Sequence, residues 1–158
     1  MTAPYPLRYD LENCSIAGTL QLIGEKWSLL VLRDVFSGVR RFDDMQHRTG
    51  APRQVLSDRL GSLVAAGILH REPYRDPGQR TRYEYRLTEA GMDLYPVLVA
   101  LMRWGDRHVD NPDGPSVELT HRDCGEQVEL VLRCHGGHDL ASARDVRPRP
   151  GPGARALA

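Results

Sequence analysis

The chain has 158 residues, 41% of them hydrophobic, which suits one globular domain with a small appendage. No apolar run reaches the roughly 20 residues of a membrane helix, and the N-terminal MTAPYPLRYDLE lacks the basic-then-apolar pattern of a signal peptide, so a cytoplasmic protein with no membrane partner is expected. Basic and acidic residues number 21 each, which excludes a uniformly basic nucleic-acid binder and leaves only local charge segregation to argue from.

That segregation lies in the middle of the chain. Between Arg40 and Arg86 there are ten arginines against six acidic residues, a local excess of +4. Guanidinium groups suit phosphate and base-edge contacts better than ammonium groups do. Three cysteines, an odd number without an export signal, argue against a disulfide framework.

In chain order, Ser15 to Ile23 sets Ile16, Thr19, Leu20 and Ile23 on one helical face, and Gly24 ends it. Trp27, Leu30, Val31 and Val35 recur at helical spacing up to Gly38. A short third helix opens at Phe42 and stops at Gly50. Pro52 then stands where a helix favours its first residue, and Val55, Leu56, Leu60, Leu63 and Val64 form the apolar stripe of a fourth helix that Gly67 closes. Ile68 to Tyr74 and Thr81 to Leu87 alternate as strands around the turn RDPGQR, a hairpin. Thr88 and Glu89 head one long helix reaching His108. DNPDGPS is a linker, and RPRPGPGARALA is Pro- and Gly-rich enough to read as a flexible tail.

A short helix, a Gly turn and a polar-faced second helix make a helix-turn-helix, and a basic hairpin directly after it makes a wing. The expected fold class is α+β, mostly α: a winged helix-turn-helix with flanking dimerisation helices and a small C-terminal β extension. Boundaries are expected at 1–109 for the winged domain, 110–116 for a linker, 117–143 for the extension and 144–158 for the tail. Arg53, Gln54, Ser57, Asp58 and Arg59 project from the polar side of the fourth helix, where Arg pairs with guanine and Gln with adenine. A merely solvated helix face would show the same residues. Asp58 repels phosphate, so it must meet a base edge, pair with an Arg or point away. Arg41, Arg80, Arg82 and Arg86 are the cations available to phosphates around the wing.

With these elements in place the sequence resembles the HxlR-type winged-helix regulators of bacteria, relatives of the MarR group. The resemblance rests on CSIAGTLQLIGEKWSLLVLRDVFSGVRRFDDM (14–45), VLSDRLGSLVAAGILHREPY (55–74) and RYEYRLTEAGMDLYPVLVALMRWGDRH (82–108). It implies a homodimeric transcriptional regulator, a repressor, on a near-palindromic double-stranded operator, answering to a small molecule, an electrophile or an oxidant. One departure concerns the turn TGAPRQ, where a Ser or Thr cap is expected; Ala51 offers no oxygen to the helix start, at a cost of about 1 kcal/mol.

Cys14, just ahead of the first helix, faces the positive end of a helix dipole, which favours a reactive thiolate. It reads equally as a small buried hydrophobe, and in the resembled family this cysteine serves some members as a redox switch. Leu94, Tyr95, Leu98, Leu101, Met102 and Trp104 give more apolar surface than the body needs, so the long helix, with the N-terminal arm, is the expected dimer interface. His121, Cys124, Cys134 and His138 stand as H-x2-C and C-x3-H around an alternating run, Val128 to Leu132, that reads as one strand of a ribbon. Relatives that carry such an extension usually show C-x-x-C-G, and Gly137 stands where the cysteine is expected, so a ribbon without its zinc is the expectation and no cofactor is assigned. No G-x-S-x-G, P-loop or dinucleotide fingerprint suggests an enzyme. The rival reading is a MarR-like or ribbon-bearing module that binds ligand or protein without operator specificity.

Overall fold

The computed structural model describes residues 12–155. Its elements are α1 (Ser15–Ile23), α2 (Lys26–Phe36), α3 (Phe42–Thr49), α4 (Arg53–Ala65), β1 (Leu69–Tyr74), β2 (Arg82–Leu87), α5 (Glu89–Met92), α6 (Tyr95–His108) and a single 3-10 turn, Ala143–Asp145. They form the winged helix-turn-helix fold, mostly helical. The chain falls into two compact units: one ends at Tyr95 and takes up the chain again from Gly153, and the other is Pro96–Pro152.

In the first unit the heptad-like spacing of Leu56, Leu60 and Leu63 puts all three on the buried face of α4. They join Val31, Leu32 and Val35 of α2, Met45 of α3 and Ile68 and Leu69 at the start of the hairpin. Each such side chain removed from water stabilises the fold by about 1.5–3 kcal/mol. Asp34, in the same apolar run of α2, is fully buried. Its Oδ1 accepts from Arg33 Nε (3.0 Å) and Nη2 (2.8 Å), and Arg48 Nε of α3 lies 3.4 Å from Oδ2.

β1 and β2 pair antiparallel from Leu69↔Leu87 to Tyr74↔Arg82. The register sets Glu72 opposite Glu84, a repulsive pair that Arg86 neutralises by bonding both, at 2.7 Å and 2.6 Å. Arg86, expected to be available to phosphates, is thus spent within the wing. The segment ahead of α3 adds an edge to this sheet through Tyr85 N to Arg40 O (2.9 Å) and the bridge Arg41↔Glu84, which fixes α3 against the base of the wing. At the far end Thr88 caps α5: its Oγ1 accepts from Gly91 N (3.1 Å) and donates to Gly67 O (2.6 Å). A Cβ on Gly91 would collide with the Ile68 carbonyl, so this tight seam requires glycine there.

Three expectations need correction. Pro52 is the N-cap of α4, with extended ψ of 138°, and Arg53 is the first helical residue. The long helix from Thr88 is two, α5 and α6, interrupted at Asp93 and Leu94; Pro96 has no N–H to give Met92 and its ring crowds that carbonyl, so the helix restarts there. Val128 to Leu132 is not a strand. The second unit instead holds two tight turns with one isolated bridge each, Thr120↔Gln127 and Arg133↔Asp139, and Arg103 Nη2 of α6 donates to Val128 O (2.6 Å). Further on, Ser142 and Asp145 form a capping box, and Arg155 pairs with Glu12 at 3.2 Å.

Candidate nucleic-acid interface

Gly50 ends α3 in the left-handed region, φ 68°, a conformation that glycine reaches without strain, and so turns the chain into α4 within three residues. Ala51 is buried in that turn, its N–H 3.3 Å from Thr49 Oγ1, which is why a small residue stands there. The first intrahelical bond of α4 is Leu56 N to Pro52 O (2.9 Å), and no side chain caps the helix start. The N–H groups of Arg53, Gln54 and Val55 therefore point outward, a polarity suited to an anion.

Three of the expected cations share one concave surface of about 410 Å³. Arg53 comes from the first turn of α4, Arg80 from the wing tip and Arg82 from β2, with Phe42, Asp43, Tyr74 and Tyr83 around them. Among the described residues Arg80 makes no hydrogen bond or ion pair. Arg53 is held: its guanidinium sits 4.8 Å over the Phe42 ring, 3.4 Å from Asp43 Oδ1 and 3.4 Å from Gln46 Oε1. Arg82 reaches the other oxygen, Asp43 Oδ2, at 3.3 Å.

The remaining expected residues are placed differently. Gln54 donates to Asp58 Oδ1 at 2.8 Å, one turn on, which resolves Asp58: it pairs, and with the amide rather than an arginine. Ser57 is exposed and Arg59 half-buried, and neither has a side-chain partner among the described residues. Arg41 does not join the concave surface; it forms two bonds of 3.2 Å to Asp76 in the wing turn and stacks 4.2 Å over Tyr74. Partial desolvation works against its charge, but the hydrogen bonds and coulombic pull of Asp76 outweigh it and hold the Arg41 guanidinium above the ordinary arginine value. Asp43, Asp76 and the stacking rings of Phe42 and Tyr74 escaped the sequence reading, in which the acids were only counted against the arginines.

Cys14 is the N-cap residue of α1, half-buried, and its side chain makes no capping hydrogen bond. Among the expected interface residues Leu101 and Trp104 are 50% and 62% exposed, Tyr95 is exposed and packs its ring 5.0 Å from Phe36, and Leu94, Leu98 and Met102 are half-buried. The arm ahead of Glu12 lies outside the described residues. In the extension His121 Nδ1 lies 3.3 Å from Cys124 Sγ, and His138 Nδ1 3.3 Å from Cys134 Sγ. The two pairs stay apart: no three metal-ligating side chains gather among the described residues. Two donors do not make the four-coordinate shell of structural zinc, so the donor set does not fit that ion as one site.

The comparisons agree with this geometry. The sequence pattern of the HxlR-like helix-turn-helix matches residues 22–113, more than half of the chain. An uncharacterised HTH-type transcriptional regulator of Mycobacterium tuberculosis is 46% identical over 151 residues, spanning 95% of this chain and 94% of the relative. The crystal structure of PA1607, designated a transcription factor, superposes with a TM-score of 0.77 at 36% identity, covering 89% of this chain and 96% of that one. The redox regulator HypR in its reduced form gives a TM-score of 0.54 at 29% identity over 60% of this chain and 93% of its own. HypR thus matches a smaller share of this chain than PA1607 does. The relatives and the fold are those of DNA-binding regulators rather than enzymes, and the chain belongs to the HxlR family of helix-turn-helix transcriptional regulators.

Proposed function

We propose that the chain works in the cytoplasm as a homodimeric repressor, laying α4 of each subunit in the major groove of a near-palindromic operator with the wing against the flanking phosphates. The observation that carries this reading is the convergence of Arg53, Arg80 and Arg82 on one concave surface beside an uncapped helix start. Docking of both subunits needs the two α4 helices about one helical turn of DNA, roughly 34 Å, apart. Support for a dimer is the exposed apolar side chains Ile16, Leu20 and Leu22 on α1 and Val97, Leu101 and Trp104 on α6, more than a monomer of this size usually leaves bare. The body through about residue 109 carries DNA recognition, and 117–143 is an appended extension.

Support for an effector response is the relationship to HypR, a redox regulator, together with the place of Cys14 at the start of α1. Oxidation or alkylation there would alter the packing of α1 and so the separation of the recognition helices. The test is a footprint on the region upstream of the protein's own gene, repeated with the thiols reduced and oxidised. Protection of two half-sites that is lost on oxidation is the expected result. Absence of salt-dependent retention on duplex DNA would favour a module that binds ligand or protein without operator specificity.

A further inference from the structure

Each potential base reader at the start of α4 is held by a carboxylate of its own chain: Arg53 by Asp43 and Gln54 by Asp58. Asp43 differs from Asp58 in bridging two elements. One oxygen faces Arg53 of α4 at 3.4 Å, and the other faces Arg82 of β2 at 3.3 Å. An anion seated between the recognition helix and the wing, touching a guanidinium on each side, has the position and charge that a DNA phosphate takes when both elements engage one duplex. The side chain of Asp43 is 60% exposed, and the separations are at the long end for charge-assisted bonds, so water and an incoming anion can compete for both arginines.

We propose that Asp43 is a gating carboxylate: in the free protein it occupies the phosphate position between Arg53 and Arg82, and thereby suppresses binding to arbitrary sequence. The inference rests on the DNA-docking reading above. Binding is an exchange in which Arg53 and Arg82 leave Asp43 for the duplex while Asp43 stays near the backbone. A carboxylate and a phosphate charge roughly 6 Å apart in water oppose binding by a factor of about three per subunit, hence about tenfold for a dimer. That resistance applies to every sequence. At an operator the base contacts of Arg53 add to the exchange, and at other sequences nothing does, so the carboxylate sets a threshold that only a site with the right bases crosses. Arg80, in the same concavity and with no carboxylate partner among the described residues, is available for the first encounter.

The experiment is fluorescence anisotropy of the full-length protein on a random-sequence duplex of about 30 base pairs, titrated between about 50 and 200 mM NaCl. Asp43→Asn is expected to bind about tenfold more tightly than wild type at the lowest salt, with a plot of log K against log [NaCl] steeper by about 1.8, or 0.9 per subunit. Asp43→Ser, a second neutral variant, should repeat the gain, and Asp43→Glu, which keeps the charge, should keep the wild-type slope. Asp43 also lies in the first turn of α3, where an acid favours the helix dipole. That role alone predicts lower melting temperatures for both neutral variants with no gain in affinity, and this result would overturn the gate. Wild-type protein with no salt-dependent binding would refute the DNA reading and the gate together. Wild type that binds, with neutral variants that bind equally or more weakly, would refute the gate alone.

Discussion

Arg80→Ala isolates one proposed phosphate contact, because Arg80 has no hydrogen bond or ion pair among the described residues and lies in the concave surface it shares with Arg53 and Arg82. A guanidinium about 4 Å from a phosphate in water contributes about 1 kcal/mol, so a dimer losing two such contacts binds about thirtyfold more weakly at low salt. The same loss removes two counterion-releasing contacts and flattens the salt slope by about 1.8. Over the fourfold change from about 50 to 200 mM NaCl, a slope difference of that size shrinks the gap between variant and wild type about twelvefold, to about threefold. The assay is duplex binding by anisotropy at several salt concentrations, on a protected upstream sequence and on a scrambled duplex of equal composition. Equal ratios of variant to wild type at both ends of the salt range would refute a phosphate contact. A loss confined to the protected sequence would move Arg80 from the backbone to a base edge.

Arg53→Ala should behave oppositely. It loses about 1 kcal/mol per subunit, the lower end for a bidentate base contact because Arg53 must first leave Asp43, Gln46 and the Phe42 ring, and the loss should fall on one base position when each site position is varied. Leu101→Asp, at a half-exposed position on α6, should yield monomers in sedimentation; a variant that still sediments as a dimer places the interface elsewhere. Leu60→Ala, in the packed face of α4, should lower the unfolding free energy by about 2–5 kcal/mol in denaturant titration, and a change below about 1 kcal/mol would mean that α4 is not packed as described.

Elements were legible where one local signal dominated. The apolar stripe of α4, the Pro-Gly turn of the wing and the Thr88–Gly91 junction each follow from residues within a few positions of one another. The break before α6 was legible too in principle, since Pro96 stands four residues past Met92 and has no N–H to give its carbonyl, but the apolar periodicity on both sides masked it. What sequence could not display was the pairing of charges. Asp43 and Arg82 are 39 residues apart and Arg41 and Asp76 are 35 apart, and their meeting depends on the sheet edge that residues 40–41 add to β2. Asp34 shows the same limit from the other side: its burial among Val31, Leu32 and Val35 follows from helical spacing, and Arg33 beside it bonds Oδ1, but the half-exposed Arg48 that stands 3.4 Å from Oδ2 comes from the next helix.

A chain with equal numbers of acidic and basic residues cannot rely on a long-range field to draw in a polyanion. Four of the arginines around α4 and the wing are also engaged with the chain's own carboxylates: Arg41 with Asp76, Arg53 and Arg82 with Asp43, Arg86 with Glu72 and Glu84. Beyond a Debye length of about 8 Å in physiological salt such pairs look neutral, and only at contact, when a phosphate displaces a carboxylate, do they become cations. The surface therefore responds to close fit more than to charge at a distance. Non-specific duplex, which offers phosphates without matching base edges, gains little from such an exchange, and an operator gains at each base contact that follows. A regulator built this way holds down its binding to arbitrary sequence by keeping its arginines partnered until a groove is under them.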